Sequence, residues 1–457
     1  MKPKSLLVIF LWAPGMLYAQ LDSYRLDSYR LPDIRTHRLD IDFSGNGNTA
    51  NTRRWTDPGD PENGSKQFTL NGNLSAAYSF YRNDQAYQGE QYLNLSIAPR
   101  VSTTDPPRLF TGSLEIRSVN RSYFGNGNFI HYGMEMDGYR QTSSRREQAG
   151  GTRGTLYGSG SMVIPLMIGH GRIDPVQDAR LAVYILQDLQ KAGRLEKVPG
   201  PVEIDEFAGL ISRVKNQRFF DSREKLIWEI GQVNGWLESN GILNRNDTVT
   251  FTRLYDNWLY SSGPVREAGR RFSGGLEARI PSYLTNGHWD STGRSVHRSF
   301  STAIAGVVRW ETAKPVSLTR QRGNLIELSL LVLRDGQADK ETGMNGEWSE
   351  AVASAKYLYS GGWYPSSRTA FEWRAGGTSY FVRQFLAQVS SNPWHFFVGP
   401  EAGLSANWYI SPDLRLTLNY SLTAGSQIGW GDPSVHPAHF ELGFNQSMNF
   451  NLIYSLF

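Results

Sequence analysis

From Gln67 to Phe80 apolar and polar residues alternate almost without a break. Phe68, Leu70, Gly72, Leu74, Ala76, Tyr78 and Phe80 fall on one side; Gln67, Thr69, Asn71, Asn73, Ser75 and Ser79 fall on the other. Successive side chains of a strand point to opposite faces, so the segment has one greasy and one polar face. The polar face is small and uncharged, as for residues looking into a wet interior. The pattern recurs along the chain. Leu93, Leu95, Ile97 and Val101 oppose Asn94, Ser96 and Arg100, and Leu114 and Ile116 oppose Glu115 and Arg117. Ile130, Tyr132, Met134 and Met136 oppose His131, Glu135 and Asp137. In the C-terminal half Ile304, Val308 and Trp310 oppose Arg309 and Glu311, Phe371 and Trp373 oppose Glu372 and Arg374, and Leu414 to Leu422 oppose Arg415, Thr417, Asn419 and Ser421.

Composition narrows what such ribbons can build. A hydrophobic fraction of 39% and a mean hydropathy of −0.43 exclude a bundle of membrane-spanning helices. No internal run approaches the roughly 18 apolar residues such a helix needs. Charged residues make up 20%, below the roughly 25% of soluble proteins. The 457 residues suggest about three ordinary domains, a prior that large barrels break. There is no cysteine, which excludes disulfides, thiolate metal sites, a Cys nucleophile and a lipoprotein anchor. The net charge of +4 is spread along the chain, so no nucleic-acid footprint is expected.

Lys2 and Lys4 precede an apolar stretch from Leu6 to Trp12, and Leu17-Tyr18-Ala19 ends it with a small residue. This is the layout of an export signal, with residues 1–19 expected to be removed. A direct repeat follows, Leu21-Asp-Ser-Tyr-Arg25 and then Leu26-Asp-Ser-Tyr-Arg30. Residues 20–35 read as a mobile tail, or as a docking peptide.

Trp363 to Ser367 and Trp408 to Asp413 are tight, aromatic-flanked turns in which Pro365, Pro412 and Asp413 supply the turn chemistry. Longer polar stretches, Arg334 to Trp348 and Gly425 to Pro437, alternate with them. The last segment places Phe440, Leu442, Phe444, Met448, Phe450, Leu452, Tyr454 and Leu456 on even positions, and the chain stops at Phe457. With its C-terminal aromatic strand, the sequence resembles the outer-membrane β-barrel proteins of Gram-negative bacteria, including the porins. The resemblance is architectural and covers about three quarters of the chain. It implies a cell-outer-membrane location, contact with outer-membrane lipid and insertion by the barrel-assembly machinery. One departure is that Phe457 falls out of phase with the apolar row, which a late bulge would restore. A soluble β-sandwich also alternates, but its strands run about 5–6 residues, and several here exceed about 12.

The period changes between Arg172 and Asn246. Asp174-Pro175 reads as the cap and first residue of a helix carrying Val176, Ala179, Val183 and Leu186, with Gly193 as its stop. A second helix starts near Pro201 with Ile204, Phe207, Ile211 and Val214 on one face. A third runs over about 221–240 with Leu226, Ile227, Ile230, Val233 and Leu237, then Gly241. Thr248 to Tyr260 is ambiguous between helix and strand. The fold expected is therefore an all-β membrane protein: an antiparallel transmembrane β-barrel of about 14 strands (12–16), with residues 36–171 before a three-helix insert at 172–265 and residues 266–457 after it. About six strands before the insert and about eight after it place it on the periplasmic side.

Motifs of chemistry are scarce. There is no Gly-x-Ser-x-Gly, His-Glu-x-x-His, P-loop or EF-hand loop. Gly125 to Asn128 and Gly158 to Ser161 read as turn and strand, and His436-Pro-Ala-His439 as loop. No cofactor and no metal is expected. The pore-lining candidates are Arg100, Arg117, His131, Glu135, Arg309, Glu311, Arg374 and Arg415, whose mixed signs suit mild selectivity. Asp256, Trp258, Arg266, Arg270 and Arg271 are expected to pin the insert to the barrel rim; a carboxylate- or phosphate-binding patch is the other reading. Three functions stay open: a porin-like passive channel, a barrel anchoring the insert for a periplasmic protein or the cell wall, and an outer-membrane hydrolase of lipid or envelope polymer built around His131 and Glu135.

Overall fold

The computed structural model describes residues 21, 23–54, 63–103, 108–146, 152–217, 222–260, 265–290, 293–339, 343–385, 394–411, 414–430 and 439–454. The signal segment, His436 and Phe457 lie outside these residues. Six strands come first: β1 (Ile34–Arg54), β2 (Asn63–Asn83), β3 (Tyr87–Ser102), β4 (Arg108–Phe124), β5 (Asn128–Arg146) and β6 (Thr152–Pro175). Four helices follow: α1 (Gln177–Lys191), α2 (Pro201–Lys215), α3 (Ser222–Ser239) and α4 (Thr248–Leu259). Eight more strands complete the wall: β7 (Glu267–Asp290), β8 (Gly293–Ser317), β9 (Arg320–Asp339), β10 (Gly343–Ser366), β11 (Thr369–Gln384), β12 (Trp394–Ser411), β13 (Leu414–Trp430) and β14 (His439–Tyr454).

The strands form one fourteen-stranded antiparallel sheet in sequence order. It curls into a barrel wall, because residues of β3 and of β10 line the same interior cavity. Among the described residues no ladder joins β1 to β14, which stand at the two ends of the sheet, each with one unpaired edge. Strands of 16 to 25 residues exceed the roughly 9–11 that cross a bilayer.

The outer face follows from the alternation. Leu70 and Leu74 on β2, Leu93 and Leu95 on β3, Leu166 and Ile168 on β6, Ile304 and Val308 on β8, and Leu328 and Leu330 on β9 all stand exposed. Apolar side chains exposed on nearly every strand make a continuous greasy surface, far beyond the few hundred Å² a water-soluble monomer carries. Among the described residues the barrel wall has a small buried cluster of its own, around Met167, Ala305 and Val307.

Both termini of the sheet, the insert and the connections 84–86, 125–127, 318–319 and 367–368 lie at one end, here called the insert end, while Pro412 and Asp413 of the other expected turn lie outside the described residues. In the 125–127 turn Gly125, Asn126 and Gly127 all have positive φ, which glycine and asparagine tolerate. At the other end, the long polar loop expected over Arg334 to Trp348 is mostly strand. Its ladder from Trp348–Arg334 to Gly343–Asp339 keeps the backbone paired to the last rung.

The insert carries the main hydrophobic core. Val176, Ala179, Val183 and Leu186 meet Ile204, Phe207, Ile211 and Val214, together with Ile230, Val233 and Leu237. Phe207 stacks on Trp236 with ring centroids 5.0 Å apart. Three expectations are corrected. There are four helices rather than three: the ambiguous stretch is α4, which Asp247 caps by accepting from the Thr250 N–H at 3.1 Å and which buries Leu254 and Trp258. Asp174-Pro175 does not open a helix; β6 continues through Pro175, paired to Glu267, and Asp174 takes the Arg172 guanidinium at 2.8 Å. The helical module therefore begins at residue 176, not 172.

The third correction concerns the expected tail, whose described residues, 21 and 23–35, do not hang free. Leu21, Tyr24, Leu26 and Tyr29, the Leu and Tyr of each repeat copy, are buried in the helical core. The Tyr24 hydroxyl donates to Asp205, and Tyr29 Oη lies 2.9 Å from Ser212 Oγ. The two partners stand seven residues apart on α2, about two turns, so the duplicated motif straddles one helix. Burial drives both phenols above their ordinary range; for Tyr24 the Asp205 carboxylate adds to the effect.

Candidate functional site

Because alternation puts the apolar row outside, the odd positions of β4 to β9 face inward. There they enclose a cavity of about 560 Å³ near the insert end. Its wall mixes both signs of charge at close quarters. Arg117 lies between Glu90 (3.8 Å) and Glu135 (3.7 Å), and Arg271 holds Glu311 at 2.7 Å. Arg309 reaches Glu327 at 2.7 Å and Glu277 at 3.8 Å. These pairs form across neighbouring strands: Arg117 is opposite Glu135, Arg271 opposite Glu311, and Arg309 opposite Glu327 in register. These contacts set three guanidinia against five carboxylates, and with Arg121, Arg279 and Glu267 the wall carries five against six, so inward charges of the two signs nearly balance.

Five of the pore-lining candidates, Arg117, His131, Glu135, Arg309 and Glu311, line this cavity. His131 is only 5% exposed and sits opposite Arg121. It and Glu135 are four residues apart on one strand, about 13 Å, and each faces an arginine of β4. Arg100 lies on the polar row of β3, opposite Asn71 and Leu109. Arg374 lines a second cavity of about 510 Å³ bounded by β9 to β14. Arg415 stands with its guanidinium 5.8 Å from the Tyr409 ring.

The expected rim residues separate into three places. Asp256 and Arg266 sit at the junction of module and barrel. Both carboxylate oxygens of Asp256 accept from Arg368 Nη2, at 2.6 and 2.8 Å, in the turn between β10 and β11. Arg266, fully buried, donates to the carbonyls of Leu318, Ser317 (2.8 Å) and Arg320 (2.9 Å), and so clasps the turn between β8 and β9. Burial lowers its pKa to about 10, with Arg180 nearby adding to the effect. Trp258 instead belongs to the module, where Nε1 donates to Glu229 at 2.7 Å. Arg270 is exposed on the wall, and Arg271 is a lumen residue. Tyr184 of α1 adds a bond to the Tyr364 carbonyl at 3.1 Å, and Tyr260 meets Tyr409 edge-on at 5.7 Å.

The helices and the chain leaving them therefore rest on the insert-end edge of β8 to β12. The two cavities are lined by strand residues and by Val265, and no residue of α1 to α4 enters either. Glu90, Arg121, Glu267, Glu277, Arg279 and Glu327 are lumen charges that sequence reasoning missed. Glu90 and Arg121 share the parity of Asn94 and Arg117, a signal that was present.

No protein-family model matches the chain, and no curated protein matches it. Among solved structures, the chain is similar to the translocator domain of the autotransporter NalP from Neisseria meningitidis. That match has 10% identity and a TM-score of 0.28, over 85% of this chain and 91% of that one. It is also similar to a TodX deltaS2S3 mutant, a monoaromatic hydrocarbon channel, with 11% identity and a TM-score of 0.19, over 91% and 92% of the two chains. Neither likeness carries a function to this protein. Its own strands carry the fold: a fourteen-stranded antiparallel β-barrel, apolar outside and polar within, with a four-helix module seated on one mouth.

Proposed function

We propose that this chain is an outer-membrane β-barrel of a Gram-negative bacterium that lets small polar solutes pass through its lumen. The observation that carries the reading is the inward cavity of about 560 Å³, lined by strand residues of β2 to β10, the charged ones on β3, β4, β5, β7 and β8, and not entered by the helices. Lipid covers the greasy outer face, and the barrel-assembly machinery inserts the chain. The insert end, with its short turns, is the periplasmic one. Cancelling charge pairs suit uncharged or net-neutral solutes over strongly charged ones. The reading is of a passage protein rather than an enzyme. The full-length protein in a planar bilayer is expected to give discrete conductance steps; their absence from correctly folded protein overturns the proposal.

One observation favours a second reading, that the barrel anchors the module for a periplasmic partner, either a protein or the cell wall. The helices have their own core, and their free side exposes Val202 and Ile227, each about 70% accessible. Deleting residues 176–265 separates the two readings. A channel keeps conducting, with larger steps once its mouth is uncovered, whereas an anchor loses its function while the barrel persists.

A further inference from the structure

The lumen cavity holds charges that the ion pairs leave over. Arg117, Arg271 and Arg309 are matched by Glu90, Glu135, Glu277, Glu311 and Glu327. Among the described residues Arg121 and Glu267, which line the same cavity, have neither an ion pair nor a hydrogen bond within contact distance. Two neutral groups are left over with them. His131 Nε2 and the Tyr81 hydroxyl are buried without a hydrogen-bond partner, and both residues line the cavity. His131 sits on the same rung as Arg121. His131, 5% exposed, and the Tyr81 hydroxyl are buried polar groups that need partners, and Arg121 and Glu267 reach the lumen beside them, so one small molecule entering the cavity can meet all four. Arg279, the other unmatched guanidinium of the wall, is twelve residues beyond Glu267 on β7, about 40 Å along the strand, and belongs to the far end of the cavity.

The leftover set is one cation, one anion and two neutral hydrogen-bonding groups. A simple anion would satisfy Arg121 and be repelled by Glu267, and a simple cation would meet the reverse. We infer that the cavity at the insert end binds a small zwitterion of the amino-acid or short-peptide class, its carboxylate on Arg121 and its ammonium on Glu267. The Arg121 fork suits a carboxylate in bidentate geometry. His131 and Tyr81 contribute hydrogen bonds along the ligand. This site rests on the channel reading and gives it a substrate class: the rest of the wall, four guanidinia with Arg279 included against five carboxylates, is close to balanced, and Arg121 and Glu267 pick out molecules with both signs.

The test is calorimetric titration of the full-length protein in detergent micelles with three probes: L-alanyl-L-alanine, acetate and ethylammonium. Saturable binding of the dipeptide, with no comparable heat from acetate or ethylammonium, is expected. Arg121→Gln and Glu267→Gln are each expected to weaken dipeptide binding by about tenfold or more, the size of one lost charged contact. Arg279→Gln, a charge change in the same cavity, is expected to leave it unaltered. Acetate binding as well as the dipeptide, no dipeptide binding, or unchanged affinity in both Gln variants would each overturn the inference. If a variant fails to fold, the three-probe comparison on the unaltered protein still decides. Conductance steps without dipeptide binding sink this inference and leave the channel standing; dipeptide binding without conductance does the reverse.

Discussion

Arg266 lies with its guanidinium 5.1 Å from the centroid of the Tyr364 ring while donating to the backbone carbonyls of the turn between β8 and β9. Arg180 of α1 approaches the same ring at 5.6 Å. One tyrosine of β10 is thus flanked by two buried guanidinia, one from the module and one from the chain leaving it. This is the latch that seats the helices on the barrel. Arg266→Ala orphans three carbonyls and removes a cation–π contact, an expected loss of about 2–4 kcal/mol from the junction. Arg266→Lys rescues little, because an ammonium cannot span the same three acceptors. Hydrogen exchange of residues 315–322 reads the effect: faster exchange is expected in both variants, and unchanged exchange would contradict the latch.

The docked N-terminal repeat is expected to let go in alkali. Burial raises the Tyr24 and Tyr29 phenols above the ordinary value near 10. A raised tyrosine contributes stability that is complete below its unfolded pKa and is lost as pH climbs toward the folded value. The strap therefore holds through neutral pH and weakens above about pH 10. Absorbance at 295 nm during alkaline titration, compared with Tyr24→Phe and Tyr29→Phe, should show two late-titrating phenols. Two phenols ionising at the ordinary pH would contradict their burial. Tyr29→Phe alone keeps the ring and loses its contact with Ser212, about 1 kcal/mol.

Selectivity should respond to Arg117. Its guanidinium stands between Glu90 and Glu135 at 3.8 and 3.7 Å and is half exposed to the lumen. Arg117→Gln leaves two carboxylates facing the pore, so the reversal potential is expected to move toward cation selectivity. The shift should shrink at about 1 M salt, where the screening length falls to roughly 3 Å. A shift toward anions, or none at low salt, would contradict the lumen placement.

The unpaired edges of β1 and β14 make their own prediction. Unpaired backbone groups in hydrocarbon cost several kcal/mol each, and the greasy rows of Leu39, Ile41 and Phe43 on β1 and Phe444, Met448 and Phe450 on β14 both stand exposed. In a bilayer these two edges are expected to pair and complete the cylinder. Amides of 36–51 and 442–452 should then exchange as slowly as those of β4 and β5. Fast exchange confined to these two strands would show a seam that stays open.

Much of this architecture is legible in the chain. Six strands, a helical interruption and eight strands are expected from the alternation and found, because an element greasy on one side and wet on the other must repeat every two residues. The strand β7 was harder to see. Its row Phe272, Leu276 and Ile280 loses phase at a register shift between Arg279 and Ser282, and Gly274 thins that row. α4 hid because Thr248, Val249, Thr250 and Phe251 favour strands, and the Asp247 cap and the burial of Leu254 overrule them. The site was half legible. Parity tells which charges face inward, but the pairing of Arg309 with Glu327 or of Arg271 with Glu311 depends on register between strands. The role of the repeat depends on contacts with α2, more than 180 residues away.

The central claim is that lipid covers one row of each ribbon and water the other, and the absence of native cysteine makes it directly measurable. Single cysteines placed one at a time from Ile326 to Val332 on β9 and spin-labelled in lipid vesicles report collisions with oxygen, which concentrates in hydrocarbon, and with a water-soluble nickel chelate. The account predicts strict alternation: even positions, with Leu328 and Leu330, oxygen-accessible; odd positions, with Glu327 and Ser329, reached by nickel. Uniform nickel access along the strand, or a period near 3.6, would contradict it.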